Sequence, residues 1–134
     1  MIYTSYYACP LINRKTMHLV QISNSVPKGF VPNGKLNEAI PDWKTIVEPF
    51  KAGLIDAIQY RKRYIAALDQ NSINLFIRLD NEIKKVAGKD IVLLCYEKSS
   101  DFCHRHILAE YINENIDVFG VEVEELADNE PTLF

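Results

Sequence analysis

The segment CYEKSSDFCHRHILAEY, residues 95–111, brings two cysteines, two histidines, acidic residues and an arginine close together. A cysteine thiolate acts as a nucleophile or a metal ligand. Histidine and glutamate transfer protons near neutral pH, and arginine binds anions. These residue types predict a reactive centre, an anion site or a metal site in this segment.

Cys103 is the candidate nucleophile. A helix that begins near Phe102 would place Cys103 in its first turn, where free N–H groups and the helix dipole favour the thiolate. His104 and Glu97 are then the candidates for moving protons. The alternative is a half-buried structural cysteine at the start of a helix, and the sequence leaves both open.

Arg105 is the candidate anion ligand, because first-turn N–H groups and a guanidinium together would hold a phosphate, sulfate or carboxylate. In the alternative, Arg105 extends along its helix towards solvent or pairs with a carboxylate. The sequence leaves these arrangements of Arg105 open.

Zinc is a further alternative, since thiolates and imidazoles are its common ligands. Cys95, Cys103 and His104 could supply them, with Cys9 as a fourth. Their spacings match no standard finger or ribbon. We therefore assign no metal ligand and no cofactor from the sequence.

The elements that position these residues follow from hydrophobic patterning. DIVLLCY, residues 90–96, is short and continuously apolar, which is typical of a strand buried on both faces of a parallel sheet. Strands are predicted at residues 1–8, 17–23, 90–96 and 116–125. Helices are predicted after Asp42, Asp56 and Ser72 and from near Phe102, with an interruption at Pro49. Residues 1–134 thus form one α/β domain, a mostly parallel open sheet flanked by helices, with about 125–134 as a tail.

Parallel sheets bind ligands beyond the carboxyl ends of their strands. Ser23 and Asn24 follow the second strand, while Cys95 ends the central one and Glu97 comes just after it. We expect these residues to meet Cys103, His104 and Arg105 at one edge, where Cys95, Ser23 and Asn24 join Arg105 in ligand binding.

The composition narrows the class of protein. Hydrophobic residues make up 48% and charged residues 25%, as in an ordinary globular chain. The net charge of −3 disfavours binding to nucleic acid. We expect no signal peptide and no membrane segment, because no apolar run is long enough. Three cysteines, an odd number with no framework spacing, predict a reduced cytoplasmic protein.

Around LLCYEKSSDFCHRHILAEY the chain resembles the domain-of-unknown-function 488 (DUF488) family, in particular its short bacterial and phage-borne forms. IYTSYYA, LVQIS, NEAIPDW and PFKAGLIDAIQYRKRYIAAL are also similar to that family. The resemblance implies an α/β fold and a site at Cys95, Glu97, Cys103, His104 and Arg105. Longer members have a glycine-histidine pair where this chain has Tyr6 and Tyr7. Many have an aspartate and an arginine where it has Gln21, Ile22 and Ser23.

Two hypotheses about function follow. The first is a small protein that binds an anionic or nucleotide-like small molecule, with thiol-based catalysis. The second is a non-enzymatic binding or interaction domain, for example a homodimer, in which the cysteine, histidine and arginine signature is structural. The sequence does not decide whether the chain is an enzyme.

Overall fold

The computed structural model describes residues 1–86, 88–97 and 102–126. Five parallel strands form one sheet in the order β3-β2-β4-β1-β5. The strands are β1 (Ile2–Tyr6), β2 (Met17–Gln21), β3 (Gly34–Lys35), β4 (Asp90–Cys95) and β5 (Val123–Glu125). This sheet, with helices packed on it, confirms the predicted α/β class.

Two helical segments begin at aspartates that supply side-chain caps, Asp42 and Asp56. In a capping box at the start of α2 (Ala57–Gln70), the side chains of Asp56 and Gln59 each accept a hydrogen bond from the backbone N–H of the other residue. Asp42 accepts a hydrogen bond from Thr45 N. Pro49 lies in the first turn of α1, where its missing N–H costs no hydrogen bond. The α-helices are α1 (Glu48–Lys51), α2 (Ala57–Gln70), α3 (Ser72–Lys85), α4 (His104–Glu114) and α5 (Ile116–Phe119). A 3-10 turn (Asn37–Ala39) and a π-helical turn (Trp43–Val47) precede α1.

Strand β4 is the centre of the sheet and pairs with both β1 and β2. Its side chains alternate between the two faces because the strand has a period of two residues. Ile91, Leu93 and Cys95 enter the main core, and Val92 and Leu94 enter the smaller cluster. Cys95 therefore lies in the same core as Ile107 and Leu108 of α4.

The carboxyl ends of three strands meet at one edge. Tyr6 at the end of β1 pairs with Cys95, and Gln21 at the end of β2 pairs with Leu94. The loops that follow these strands and the start of α4 must therefore meet there. Among the described residues, none of the helices combines the length and apolar character needed to cross a lipid bilayer.

The last part of the chain differs from the sequence prediction. Residues 116–125 were expected to form a strand, but Ile116–Phe119 is the short helix α5, which ends at Gly120 with φ 71°. Only Val123–Glu125 continues as β5, because the left-handed glycine redirects the chain. The predicted tail, about 125–134, mostly lies outside the described residues. Within them, Glu125 belongs to β5, and Leu126 N donates to Thr4 O at 2.8 Å.

Strand β3 was not predicted, since its two residues lie in a loop rich in proline and glycine. Strand β3 packs against a polar cluster formed by His18 of β2 with Glu82 and Lys85 of α3. His18 Nε2 lies 2.7 Å from Glu82 Oε1, and Lys85 Nζ lies 3.0 Å from Glu82 Oε2. Burial alone would raise the pKa of the Glu82 carboxyl, but the His18 and Lys85 hydrogen bonds outweigh it and lower that pKa. A Cβ atom at Gly34 would overlap the Glu82 carboxylate.

The Gly34→Ala variant should have a free energy of unfolding lower by about 1–3 kcal/mol, because the added methyl group pushes Glu82 away from His18. Urea denaturation measures this difference. In a Glu82→Ala background the carboxylate is absent and the same substitution should cost almost nothing. An equal cost in both backgrounds would show that the overlap is not its cause.

Candidate functional site

A cavity of about 250 Å³ opens at the carboxyl edge of the sheet. Its lining includes six residues predicted from the sequence: Ser23, Asn24, Cys95, Glu97, Cys103 and His104. The other lining residues are Ser25, Trp43, Val47, Phe50, Lys51, Tyr60, Tyr96 and Phe102. Ligand pockets commonly measure about 300–1,000 Å³, so this cavity suits a small ligand or one ring system of a larger one.

One wall of the cavity is a chain of hydroxyl groups. Ser23 Oγ donates to Ser25 O at 2.6 Å, so Tyr7 OH must be the donor in its 2.7 Å contact with Ser23 Oγ. Ser25 Oγ lies 3.2 Å from Tyr96 OH. Burial raises the pKa of Tyr7, which keeps this phenol protonated. The chain fixes the position of Ser23 while leaving its oxygen able to accept a further hydrogen bond.

A second part of the lining is aromatic. Phe50, Tyr60 and Phe102 pack together with ring centroids 4.9–5.2 Å apart. Around the opening, Trp43, Tyr96 and Phe102 remain 43%, 42% and 40% exposed. Large aromatic side chains grouped at a cavity and left open to solvent are typical of a ligand-binding surface.

Cys95 and Cys103 both line the cavity and are joined by a disulfide in the structure, whereas the sequence predicted a reduced protein. Cys95 ends β4, whereas Cys103 is the N-cap residue of α4 and not a first-turn residue, with its side chain making no cap hydrogen bond. The Cα atoms of the two bonded cysteines lie 7.6 Å apart. That backbone separation exceeds the usual range for disulfides, about 4.4–6.8 Å. Cys9 is buried elsewhere, with its Sγ 3.8 Å from Leu126 O.

His104 is held in one orientation beside this pair. Its Nε2 atom donates to Ile22 O, and its Nδ1 atom lies 3.8 Å from Cys103 Sγ. Burial lowers the pKa of His104 to about 4, although the Ile22 hydrogen bond opposes that shift. The imidazole is therefore neutral at pH 7, and its unprotonated Nδ1 atom faces the sulfurs.

Arg105 does not line the cavity. It is fully buried, and its Nε and Nη2 atoms donate to the Glu125 carboxylate at 3.0–3.1 Å. Its Nη1 atom donates to Cys95 Sγ at 3.0 Å and to Glu97 O. Of the two arrangements considered from the sequence, Arg105 adopts the one in which it pairs with a carboxylate. Direct binding of a ligand by Arg105 stays a prediction.

Sequence reasoning placed Glu125 at the boundary between the predicted strand 116–125 and the tail, and did not identify it as a site residue. The alternation in VEVEE places Glu125 on the same face of the strand as Val123, which is buried, and this was the signal that could have located it. It also missed Lys51, Phe50, Tyr96 and Phe102 in the lining. Tyr96 and Phe102 directly adjoin the two cysteines in sequence, so proximity alone would have suggested them.

Comparison with known proteins supplies one match. Residues 28–116, about two thirds of the chain, match the family model DUF488-N3a, described as the active DUF488-N3 subclade. The matched range contains Cys95, Glu97, Cys103, His104 and Arg105, whereas Glu125 lies beyond it. No curated protein and no solved structure matches the chain.

The Arg105→Gln variant should lose roughly 3 kcal/mol of unfolding free energy, because Glu125 is left without its buried partner. We place the loss at the low end for buried pairs, since the Glu125 side chain is 24% exposed. Arg61, which pairs with Glu110 on the surface, is the matched control. Arg61→Gln should cost less than about 1 kcal/mol. Urea denaturation of both variants tests this, and equal losses would contradict it.

His104 should remain neutral well below pH 6.5, because its folded-state pKa of about 4 lies under the ordinary value of 6.5. Between these two pH values the unfolded chain binds more protons than the folded chain. The free energy of unfolding should therefore fall as the pH drops through this window, by up to about 1.4 kcal/mol per pH unit. Imidazole NMR resonances measured against pH report the protonation directly. A His104 midpoint near 6.5 would be inconsistent with this burial.

Proposed function

The chain belongs to the DUF488 family, and we propose that its cavity binds an anionic or nucleotide-like small molecule in a reaction that depends on the Cys95 and Cys103 thiolates. One observation carries this proposal. Two cysteines, which give two thiols on reduction, line the same cavity as the neutral imidazole of His104 and as Glu97. Groups that donate electron pairs and transfer protons are thereby gathered where a ligand can reach them.

The aromatic part of the cavity lining favours a planar ligand. Trp43 and Phe102 offer exposed ring surface on which a base or a similar ring would stack. The hydroxyl chain through Ser23 supplies hydrogen-bond acceptors for polar groups of the ligand. A cavity of about 250 Å³ admits one such ring system, with the rest of the ligand extending outwards.

An anionic group on the ligand would be bound by Lys51 and by the amino-terminal end of α4. Lys51 lines the cavity, with its Nζ atom 5.7 Å from the Trp43 ring centroid. Cys103 and His104 at the start of α4 also line it, so the positive end of the helix dipole faces the ligand. Arg105 contributes little directly, because Glu125 compensates its charge.

Cys95 is the thiolate that we assign as the stronger electron-pair donor, in place of Cys103. The Arg105 Nη1 atom donates to Cys95 Sγ, and a hydrogen bond from a cation favours the ionised form. The Cys95–Cys103 disulfide must be reduced to two thiols for this role. A cytoplasmic location is therefore part of the proposal. The description of the matched family model as an active subclade also favours an enzyme.

A non-enzymatic binding domain is the second candidate, and the contacts of the signature residues favour it. Arg105 bonds to Glu97 O and Glu125, and His104 bonds to Ile22 O, as residues with a purely structural role would. Under this alternative Cys95→Ser and Cys103→Ser would change stability while leaving ligand affinity unaltered. Under the first candidate these substitutions abolish turnover of whatever ligand is found to bind.

Trp43 is the chain's single tryptophan, so its fluorescence reports on the cavity. Adenosine monophosphate should change this fluorescence saturably, and ribose 5-phosphate, which lacks the ring, should bind at least about tenfold more weakly, since ring stacking contributes about 1–3 kcal/mol. The Phe102→Ala variant should lose a similar factor for the nucleotide.

The Leu54→Ala variant is the control, because Leu54 is an exposed apolar side chain outside the cavity. Its titration should match that of the unaltered protein. If neither probe gives a saturable signal, or if Leu54→Ala weakens binding as much as Phe102→Ala, the cavity is not the binding site that we propose.

A further inference from the structure

Three side chains at the base of the cavity offer metal-ligand atoms close together. One ligand atom each from Cys95, Cys103 and His104 lies within 4.8 Å of the others, and all three residues are buried. Thiolate and imidazole are the ligands that zinc prefers in proteins. The sequence spacing of these residues resembles no standard zinc motif, so the fold itself brings them together.

His104 already has the hydrogen bond that zinc-bound histidines make. Its Nε2 atom donates to Ile22 O, so the neutral ring carries its lone pair on Nδ1. Metal-bound histidines almost always donate their other ring N–H to a carbonyl or a carboxylate in this way. The Nδ1 atom lies 3.8 Å from Cys103 Sγ, close to the distance between two ligands of a tetrahedral zinc ion, about 3.5 Å.

The backbone leaves room for an ion between the two cysteines. With Zn–S bonds of about 2.3 Å, the two sulfurs of a tetrahedral site lie about 3.8 Å apart. The Cα atoms of Cys95 and Cys103 are 7.6 Å apart, wider than disulfides usually require. A thiol reductant supplies the two electrons that convert the disulfide into two thiolates, and moderate rotation of the side chains then lets both thiolates bind one ion.

Arg105 would stabilise such a site through its contact with Cys95. Its Nη1 atom donates to Cys95 Sγ at 3.0 Å, which offsets part of the charge of two neighbouring thiolates. Glu125 fixes the guanidinium through Nε and Nη2. Partners of this kind orient a ligand and raise metal affinity.

We propose that Cys95, Cys103 and His104 bind one Zn²⁺ ion, whose fourth coordination position faces the cavity. This inference rests on the proposed function and deepens it, since the thiolates then act as metal ligands. All three residues line the cavity, so a water molecule or a ligand oxygen or nitrogen can occupy that position. Three protein ligands with one open position are the pattern of catalytic zinc sites. Glu97 lines the same cavity, which makes its carboxylate the candidate to exchange a proton with water at that position.

The test uses the full chain, without an affinity tag, purified under reductant and without chelators. Inductively coupled plasma mass spectrometry should find about one zinc ion per chain. The metal-free protein should then compete for Zn²⁺ with a chromogenic indicator. Cys95→Ser and Cys103→Ser should each weaken binding more than about 100-fold, because even losing an outer partner of a ligand costs 10–100-fold.

Cys9→Ser is the matched control, since Cys9 is also buried but lies outside this group. It should bind zinc like the unaltered chain, and circular dichroism checks that each variant folds. Cobalt substitution should give thiolate-to-metal charge-transfer absorption that both Cys95→Ser and Cys103→Ser diminish. If the reduced protein holds no zinc, or if Cys9→Ser loses as much affinity as Cys103→Ser, the inference is overturned.

Failure of this inference can be separated from failure of the proposed function. A protein that binds no zinc but gives a saturable Trp43 titration retains a ligand site without a metal. A protein that binds zinc through these residues but gives no saturable titration has the metal site without the proposed ligand.

Discussion

The buried guanidinium of Arg105 is the interaction on which the rest of the site depends. A charge removed from water costs several kcal/mol unless it is paired and its donors are satisfied. Arg105 meets this requirement with the Glu125 carboxylate, Glu97 O and Cys95 Sγ. Because these partners lie on β5, after β4 and at the end of β4, one side chain of α4 fixes three segments relative to one another. Thr4 Oγ1 extends the arrangement to β1 by donating to Glu125 at 2.7 Å.

Cys103 and His104 line the cavity, whereas the adjacent cation Arg105 does not. Arg105 is fully buried outside the cavity, and its guanidinium contacts Cys95 through one N–H···S hydrogen bond. Cys103 and His104, the preceding residues of the chain, are thereby directed to the cavity side. Tyr7 and Ser23, which follow β1 and β2, are hydrogen-bonded to each other at the same edge of the sheet.

The sequence predicted those features that depend on local patterning. The apolar run of β4, the capping box at Asp56 and the meeting of strand ends at one edge all follow from residues near one another in the chain. Six of the seven predicted site residues line the cavity for that reason. The direction of Arg105 could not be predicted, because its partner Glu125 lies twenty residues further on and is positioned by the pairing of β5 with β1. The helix α5 was missed because the helix-ending Gly120 lies within an otherwise strand-like pattern.

A double-mutant cycle on Arg105 and Glu125 tests the central claim most directly, because the cycle isolates the interaction between the two side chains. Urea denaturation gives the free energy of unfolding of the unaltered chain, Arg105→Gln, Glu125→Gln and the chain with both substitutions. The account predicts a coupling energy above about 1 kcal/mol, since the two side chains share one hydrogen-bonded ion pair. Losses that simply add, with no coupling energy, would contradict the account.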